Sequence, residues 1–216
     1  MSKTDFQNGF ILGFASGGVV EVVDASTINL INEGLKKNPT NGAFVFKGTG
    51  VTDLSVFDFS NTTYFNTAFS NCYALKTAKV NTSKAANVTT MFASCSALET
   101  VEMTTLSQIS NFDGIFQRCT ALKSVSKLDF GKAVATNATR YVFFGCTSLE
   151  NISFEPNSIK LSLDIPSGKL TSESVVSVIN GLATVTTAQT LTLNSAITLT
   201  DEQKATINSK GWTLAQ

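Results

Sequence analysis

The sequence predicts an α/β solenoid: a short coil stack on a parallel sheet, with a helical N-terminal cap and a small α/β C-terminal cap. Three observations predict it. First, F-x-x-C-x-[AS]-L occurs four times, as Phe69-Ser-Asn-Cys72-Tyr-Ala-Leu75, Phe92-Ala-Ser-Cys95-Ser-Ala-Leu98, Phe116-Gln-Arg-Cys119-Thr-Ala-Leu122 and Phe143-Phe-Gly-Cys146-Thr-Ser-Leu149. The cysteines advance by 23, 24 and 27 positions, in or near the period of one coil of a repeat protein. Second, each repeated Leu opens an L-x-x-φ-x-φ segment (φ apolar), whose alternation suits a strand with one buried face. Third, helix signals flank the repeats and do not interrupt them. The expected organisation is a capping and anchoring segment over 1–42, a coil stack over 43–165 and an α/β cap over 166–216.

At the N-terminus, Phe6, Phe10 and Phe14 fall at i, i+4 and i+8, one side of a helix, while Gly9, Gly13 and Gly17-Gly18 oppose a long regular one. They are read as a short helix on the end of the stack, with docking on a partner protein as the functional alternative. The run Phe10–Val20 is broken by three glycines and is far shorter than the roughly 18–20 residues that span a bilayer; it reads as a poor signal-peptide core. From Asp24 or Ser26 a capped helix is expected, with Ile28, Leu30, Ile31 and Leu35 apolar, Lys36 and Lys37 at its C-terminal dipole, and Pro39-Thr-Asn-Gly42 ending it. Ala43-Phe-Val-Phe46 reads as the first strand.

The strand segments follow as Leu54-x-x-Phe57-x-Phe59, Leu75-x-x-Ala78-x-Val80, Leu98-x-x-Val101-x-Met103, Leu122-x-x-Val125 and Leu149-x-x-Ile152-x-Phe154. Lys127 takes an apolar slot in the Leu122 repeat and Leu128 follows, which predicts a bulge near Ser126. The Leu54 repeat lacks the F-x-x-C half, with Gly48 and Val51 in those slots, as in an atypical terminal coil. F-x-x-C-x-[AS]-L-[KE]-x-[VAI] resembles the BspA-like leucine-rich repeat family, and Val88-Thr-Thr-Met91-Phe92 resembles its longer Met-Phe form. The resemblance covers roughly residues 51–165 and implies a parallel sheet with the F-x-x-C segment as the opposite wall.

After Pro166, Thr171 or Ser172 can cap a helix carrying Val175, Val176, Val178, Ile179 and Leu182. Thr187–Leu193 alternates as a strand, Thr200-Asp-Glu-Gln203 is a capping box, Lys210-Gly211 stops the second helix, and Trp212-Thr-Leu214 is a last strand. This order resembles the C-terminal tails of repeat proteins encoded by phages and prophages of gut bacteria, and it would cover an open sheet edge.

Composition excludes several functions. Lys+Arg and Asp+Glu are equal at 16 each, so the basic field that nucleic-acid binding needs is missing. There is no His, which removes the commonest general base and transition-metal ligand. The cysteines lack the close C-x2-4-C pairing of zinc sites, and a slot on a coil wall favours burial as small hydrophobes; four free buried thiols are expected. No catalytic, cofactor or metal residue is assigned. The Phe ladder Phe69, Phe92, Phe116 and Phe143 is read as core. Four N-glycosylation matches, at Asn61, Asn81, Asn87 and Asn137, are discounted as chance in Ser/Thr/Asn-rich loops.

Recognition chemistry is left to the outward strand positions. Asp58, Lys79, Glu102, Ser126 and Ser153 should form one row and Thr77, Thr100, Ser124 and Asn151 the next, with Asp58, Lys79 and Glu102 alternating in sign. The expected function is non-catalytic: a phage virion tail, baseplate or head-surface component presenting the repeat face to protein or glycan, assembled in the host cytoplasm. The alternative is a secreted bacterial surface adhesin of the BspA-like kind. Expected partners are other virion proteins or a host-surface protein or glycan, with no nucleic acid and no membrane span, and a homo-oligomer left open.

Overall fold

The computed structural model describes residues 29, 31–33, 46–48 and 50–216. The expected Phe6, Phe10 and Phe14 anchor, most of the expected N-terminal cap helix and the start of the expected first strand lie outside the described residues. Asn29 and residues 31–33 are helical, as expected.

Four strands, β1 (Thr77–Val80), β2 (Thr100–Met103), β3 (Ser124–Leu128) and β4 (Asn151–Phe154), form a parallel sheet in chain order. Thr77, Thr100, Ser124 and Asn151 are in register. Ala78, Val80, Val101, Met103, Val125, Ile152 and Phe154 face the core while their neighbours face outward, because successive side chains of a strand point to opposite faces. The expected bulge lies between Val125 and Leu128. Lys127 adopts φ 59° there, and its N–H donates to Ser153 Oγ at 2.9 Å.

The F-x-x-C segments build the opposite wall from consecutive tight turns. In 65–72, Ala68, Ser70 and Cys72 donate N–H bonds to Phe65, Thr67 and Phe69 carbonyls at 3.0, 3.1 and 3.2 Å, and Thr67 and Asn71 are left-handed. The later rungs place left-handed residues at the same slots: Thr90 and Ser94, Gly114 and Arg118, Tyr141 and Gly145. Alternate N–H groups then point at the next rung: Phe65, Thr67, Phe69 and Asn71 donate to Asn87, Thr89, Met91 and Ala93 carbonyls at 2.8–3.0 Å. The cost of left-handed backbone at Thr67 and Thr90 is offset by these otherwise orphaned buried donors.

Between the walls the Phe rings stack. Centroids are 5.3 Å apart for Phe69–Phe92, 6.0 Å for Phe92–Phe116 and 5.9 Å for Phe116–Phe143. Phe46 extends the ladder by one rung, 5.6 Å from Phe69. This corrects the slot assignment at the N-terminal end: Phe46, not Gly48, holds the ring position, and Gly48, φ 71°, holds the left-handed slot of Asn71. Their N–H groups donate to Ala68 and Ser70 carbonyls, as those of Phe69 and Asn71 do one rung later.

One expected strand is not formed: 54–59 makes no strand ladder although Leu54, Phe57 and Phe59 point into the core, and the described end of the other expected N-terminal strand, Phe46, lies in a turn with Lys47 and Gly48. Phe57 N–H turns back to Leu54 O at 3.2 Å, and the N-terminal helix supplies a side chain where a strand would pair. The Asn32 amide accepts from Asp58 N–H at 2.7 Å and donates to Val56 O at 3.3 Å. One side chain thus satisfies the two groups that a parallel neighbour would otherwise take.

The C-terminal part alternates strand and helix: β5 (Leu163–Ile165), α1 (Ser172–Gly181), β6 (Gln189–Leu193), α2 (Asp201–Ser209) and β7 (Trp212–Ala215), with the strands in a second parallel sheet. Thr171 caps α1 through Ser174 N–H, and Thr200 and Gln203 close the expected capping box on α2. Helix α1 covers β4. Ser174 Oγ accepts from Ile152 N–H and donates to Glu150 O, both at 3.0 Å, and Ser177 Oγ accepts from Phe154 N–H at 3.0 Å. Gly181 allows the approach, since a Cβ there would lie 2.8 Å from Phe154 Cβ. The β4 edge of the first sheet is therefore closed by helix side chains, which removes a template for edge-to-edge association there. One hydrophobic cluster runs from Ile31 to Trp212.

Ser174→Ala should destabilise the chain by about 1–3 kcal/mol, because Ile152 N–H is then buried without an acceptor. Urea unfolding measures this directly. Substituting the exposed Ser172 should stay within about 0.5 kcal/mol, and equal losses at both positions would refute the edge role of Ser174.

Candidate functional site

Thr77, Thr100, Ser124 and Asn151 stand side by side across β1–β4, as the alternation predicts. Lys79 and Glu102 also pair in register, with Nζ and Oε2 3.3 Å apart and side chains 71% and 66% exposed. At that exposure the pair contributes about 0–1 kcal/mol. A stronger ladder lies at the strand entrances. Lys123 Nζ meets Glu99 Oε2 at 2.7 Å, which holds the Glu99 carboxyl below its ordinary range and raises the Lys123 ammonium.

The ends of the expected outward row are engaged locally. Asp58 lies outside the sheet, and its carboxylate accepts from Ser60 N–H at 3.0 Å. Ser153 is half-buried and its hydroxyl accepts Lys127 N–H; Ser126 is exposed within the bulge, out of strand register. The continuous outward face is thus Thr77, Lys79, Thr100, Glu102, Ser124 and Asn151.

All four cysteines are free and buried. Each thiol donates to the carbonyl of the Phe one rung earlier: Cys72 to Phe46, Cys95 to Phe69, Cys119 to Phe92 and Cys146 to Phe116, at 2.9–3.1 Å. Cys95 is held far above the ordinary thiol range by hydrogen bonding with the Cys72 thiol and by burial. Burial raises Cys119 likewise and pushes Cys146 up to about 12. Among the described residues no group of three or more His, Cys, Asp and Glu side chains is placed to hold a metal ion, and no helix is long and apolar enough to cross a membrane.

A feature that sequence reasoning missed lies where the F-x-x-C wall meets the second sheet. A cleft of about 370 Å³ opens there between Tyr141 and Phe144 on one lip and Asp164, Thr190 and Thr192 on the other. Tyr141 and Phe144 are 49% and 46% exposed and pack edge to face at 5.8 Å. The Arg140 guanidinium lies 5.0 Å from the Tyr141 ring centre and is fixed by Asp113 at 2.8 Å, which raises its pKa. Asp164 and Thr192 are register partners on β5 and β6, and partial burial raises the Asp164 carboxyl pKa.

The cleft exists because the turn ladder stops. In earlier rungs the residues two before, at and two after the ladder Phe donate N–H bonds forward, but Tyr141, Phe143 and Gly145 have no such acceptor among the described residues. The rung is joined to β5 by Thr139 Oγ1, which donates to Ser162 O at 3.0 Å. The signal was present in the sequence. The slot after the ladder Phe reads Ser70, Ala93, Gln117, then Phe144, and the slot two before it reads Thr67, Thr90, Gly114, then Tyr141; aromatics enter both only in the last repeat. A second groove, of about 440 Å³, follows the C-terminal ends of β2–β4 and includes Lys127, Asp129 and Glu155. Compared with known protein families, curated proteins and solved structures, the chain matches none of them.

Proposed function

We propose that this chain is a non-catalytic recognition protein: a leucine-rich-repeat solenoid carried as a tail, baseplate or head-surface component of a phage virion. The observation that carries the recognition reading is the register of Thr77, Thr100, Ser124 and Asn151, with Lys79 paired to Glu102 beside them, on an outward sheet face. Parallel rungs of this kind present side chains at regular strand spacing, and repeat proteins use such surfaces for binding. The solenoid reading is supported by the two walls, each hydrogen-bonded rung to rung in chain order. The virion assignment rests on the resemblance of residues 166–216 to phage repeat-protein tails and is an argument by analogy.

Mass spectrometry of purified virions from a producing host is the test. The polypeptide is expected at structural-protein abundance, and virions without it would sink the assignment. Recovery from the cell envelope of phage-free bacteria would transfer the chain to the surface-adhesin class.

A further inference from the structure

We infer that the cleft between the last F-x-x-C rung and β5–β6 binds a neutral sugar unit of a glycan. The inference rests on the recognition reading but not on the virion assignment. A pyranose offers an apolar C–H face and a rim of hydroxyls that both donate and accept, and the cleft offers a counterpart to each. Tyr141 and Phe144 present exposed rings to the apolar face, and aromatic surfaces of this kind anchor ligands at low entropic cost because they have few rotatable bonds. The Asp164 carboxylate is an acceptor. The Thr190 and Thr192 hydroxyls serve as donor or acceptor, and the Arg140 guanidinium is a fixed donor on the lip. The Tyr141 N–H adds a donor on the backbone side, since the rung that accepts from its equivalents elsewhere is missing here.

Charge narrows the ligand class. Arg140 is already compensated by Asp113, and Asp164 lies in the cleft, so an anionic ligand would meet a carboxylate without a free cation opposite it. An uncharged polyhydroxylated ligand avoids that repulsion. An extended peptide could add a strand at the interrupted ladder, but it leaves the exposed ring pair and the hydroxyl row unexplained. The sugar accounts for both.

The test is a titration of the isotope-labelled full chain with maltotetraose, cellotetraose and chitotetraose, followed by amide NMR. At least one is expected to shift the amides of Tyr141, Val142, Phe144, Asp164 and Thr192 in a saturable manner. Phe144→Ala and Tyr141→Asn, the latter keeping a residue tolerant of left-handed backbone, should each weaken binding by about tenfold or more, as expected for loss of an aromatic anchor. Their melting temperatures should match wild type, because both rings are half exposed. Three results would overturn the inference: no saturable shift with any of the sugars, binding that is unchanged in both variants, or shifts confined to the β1–β4 face. The last leaves recognition intact while removing the cleft from it. An extended peptide that shifts the cleft amides when no sugar does also overturns it. Absence from virions combined with sugar shifts at the cleft removes only the virion assignment.

Discussion

Phe92→Ala is expected to destabilise the chain by about 3–5 kcal/mol, the range for deleting a fully buried aromatic side chain. The ring is 0% exposed and lies between Phe69, tilted by 20° from it, and Phe116, tilted by 9°. The upper part of the range applies because the site cannot collapse. Phe92 N–H donates to Ile115 O, and the Phe92 carbonyl accepts both Cys95 N–H and the Cys119 thiol. The backbone around the vacated ring is thereby held on both sides, and cavity cost grows with the volume that remains. Urea unfolding with an unchanged slope and a lowered midpoint is the expected readout. Tyr73→Ala, at a ring that is 60% exposed, should change stability by no more than about 0.5 kcal/mol. A loss at Tyr73 equal to that at Phe92 would mean that the Phe ladder does not organise the core.

That ladder was legible in the sequence because it repeats. Phe69, Phe92, Phe116 and Phe143 share one slot, and a residue recurring at coil period faces the same environment in every coil. The strands were legible for the same reason, and even the irregularity at Ser126 could be read, because Lys127 broke an otherwise apolar slot. Features that occur once were harder to read. Asn32 and Ser174 each satisfy a carbonyl and an N–H two residues apart, Asn32 on the 54–59 segment and Ser174 on the β4 edge, yet neither residue belongs to the repeat and both are ordinary in helices. Phe46 was hidden because extra residues separate it from Leu54, so counting back from the repeated Leu landed on Gly48.

The roles of the cysteines were half visible. Their spacing and the lack of close pairs indicated burial, but the carbonyl that each thiol meets lies on the preceding rung and depends on the left-handed turn residue between Phe and Cys. The cleft shows the complementary case. Phe144 sits in a slot that is covered in the first two repeats, where Ser70 and Ala93 are 7% and 8% exposed. Phe144 is uncovered only because the next rung is replaced by a strand from the second sheet, and no single repeat contains that information.

Stability is also expected to fall steeply between pH 8 and pH 10, and the thiols set the sign. Cys95, Cys119 and Cys146 are raised in the fold, Cys95 by hydrogen bonding with Cys72 and by burial, the other two chiefly by burial. An unfolded cysteine releases its proton near pH 8.5. Above that pH the unfolded chain holds fewer protons than the folded one, so each increment of pH favours unfolding. The contribution is complete below about pH 7.5 and is withdrawn until the folded thiols titrate, which for Cys146 is at about 12. By pH 10 each thiol should have withdrawn about 2 kcal/mol, and three together approach the whole stability of an ordinary domain, about 5–15 kcal/mol. Urea midpoints at pH 7.5, 9 and 10, under reductant and without oxygen, measure the slope. Cys95→Ser should lower stability at pH 7.5 because a hydroxyl replaces a small apolar sulfur in the core, and it should make the alkaline fall shallower by one thiol's share. Zinc should be absent from both proteins by elemental analysis. A flat profile across this range, or stoichiometric zinc in the wild type, would remove the buried-thiol ladder as the description of these four residues.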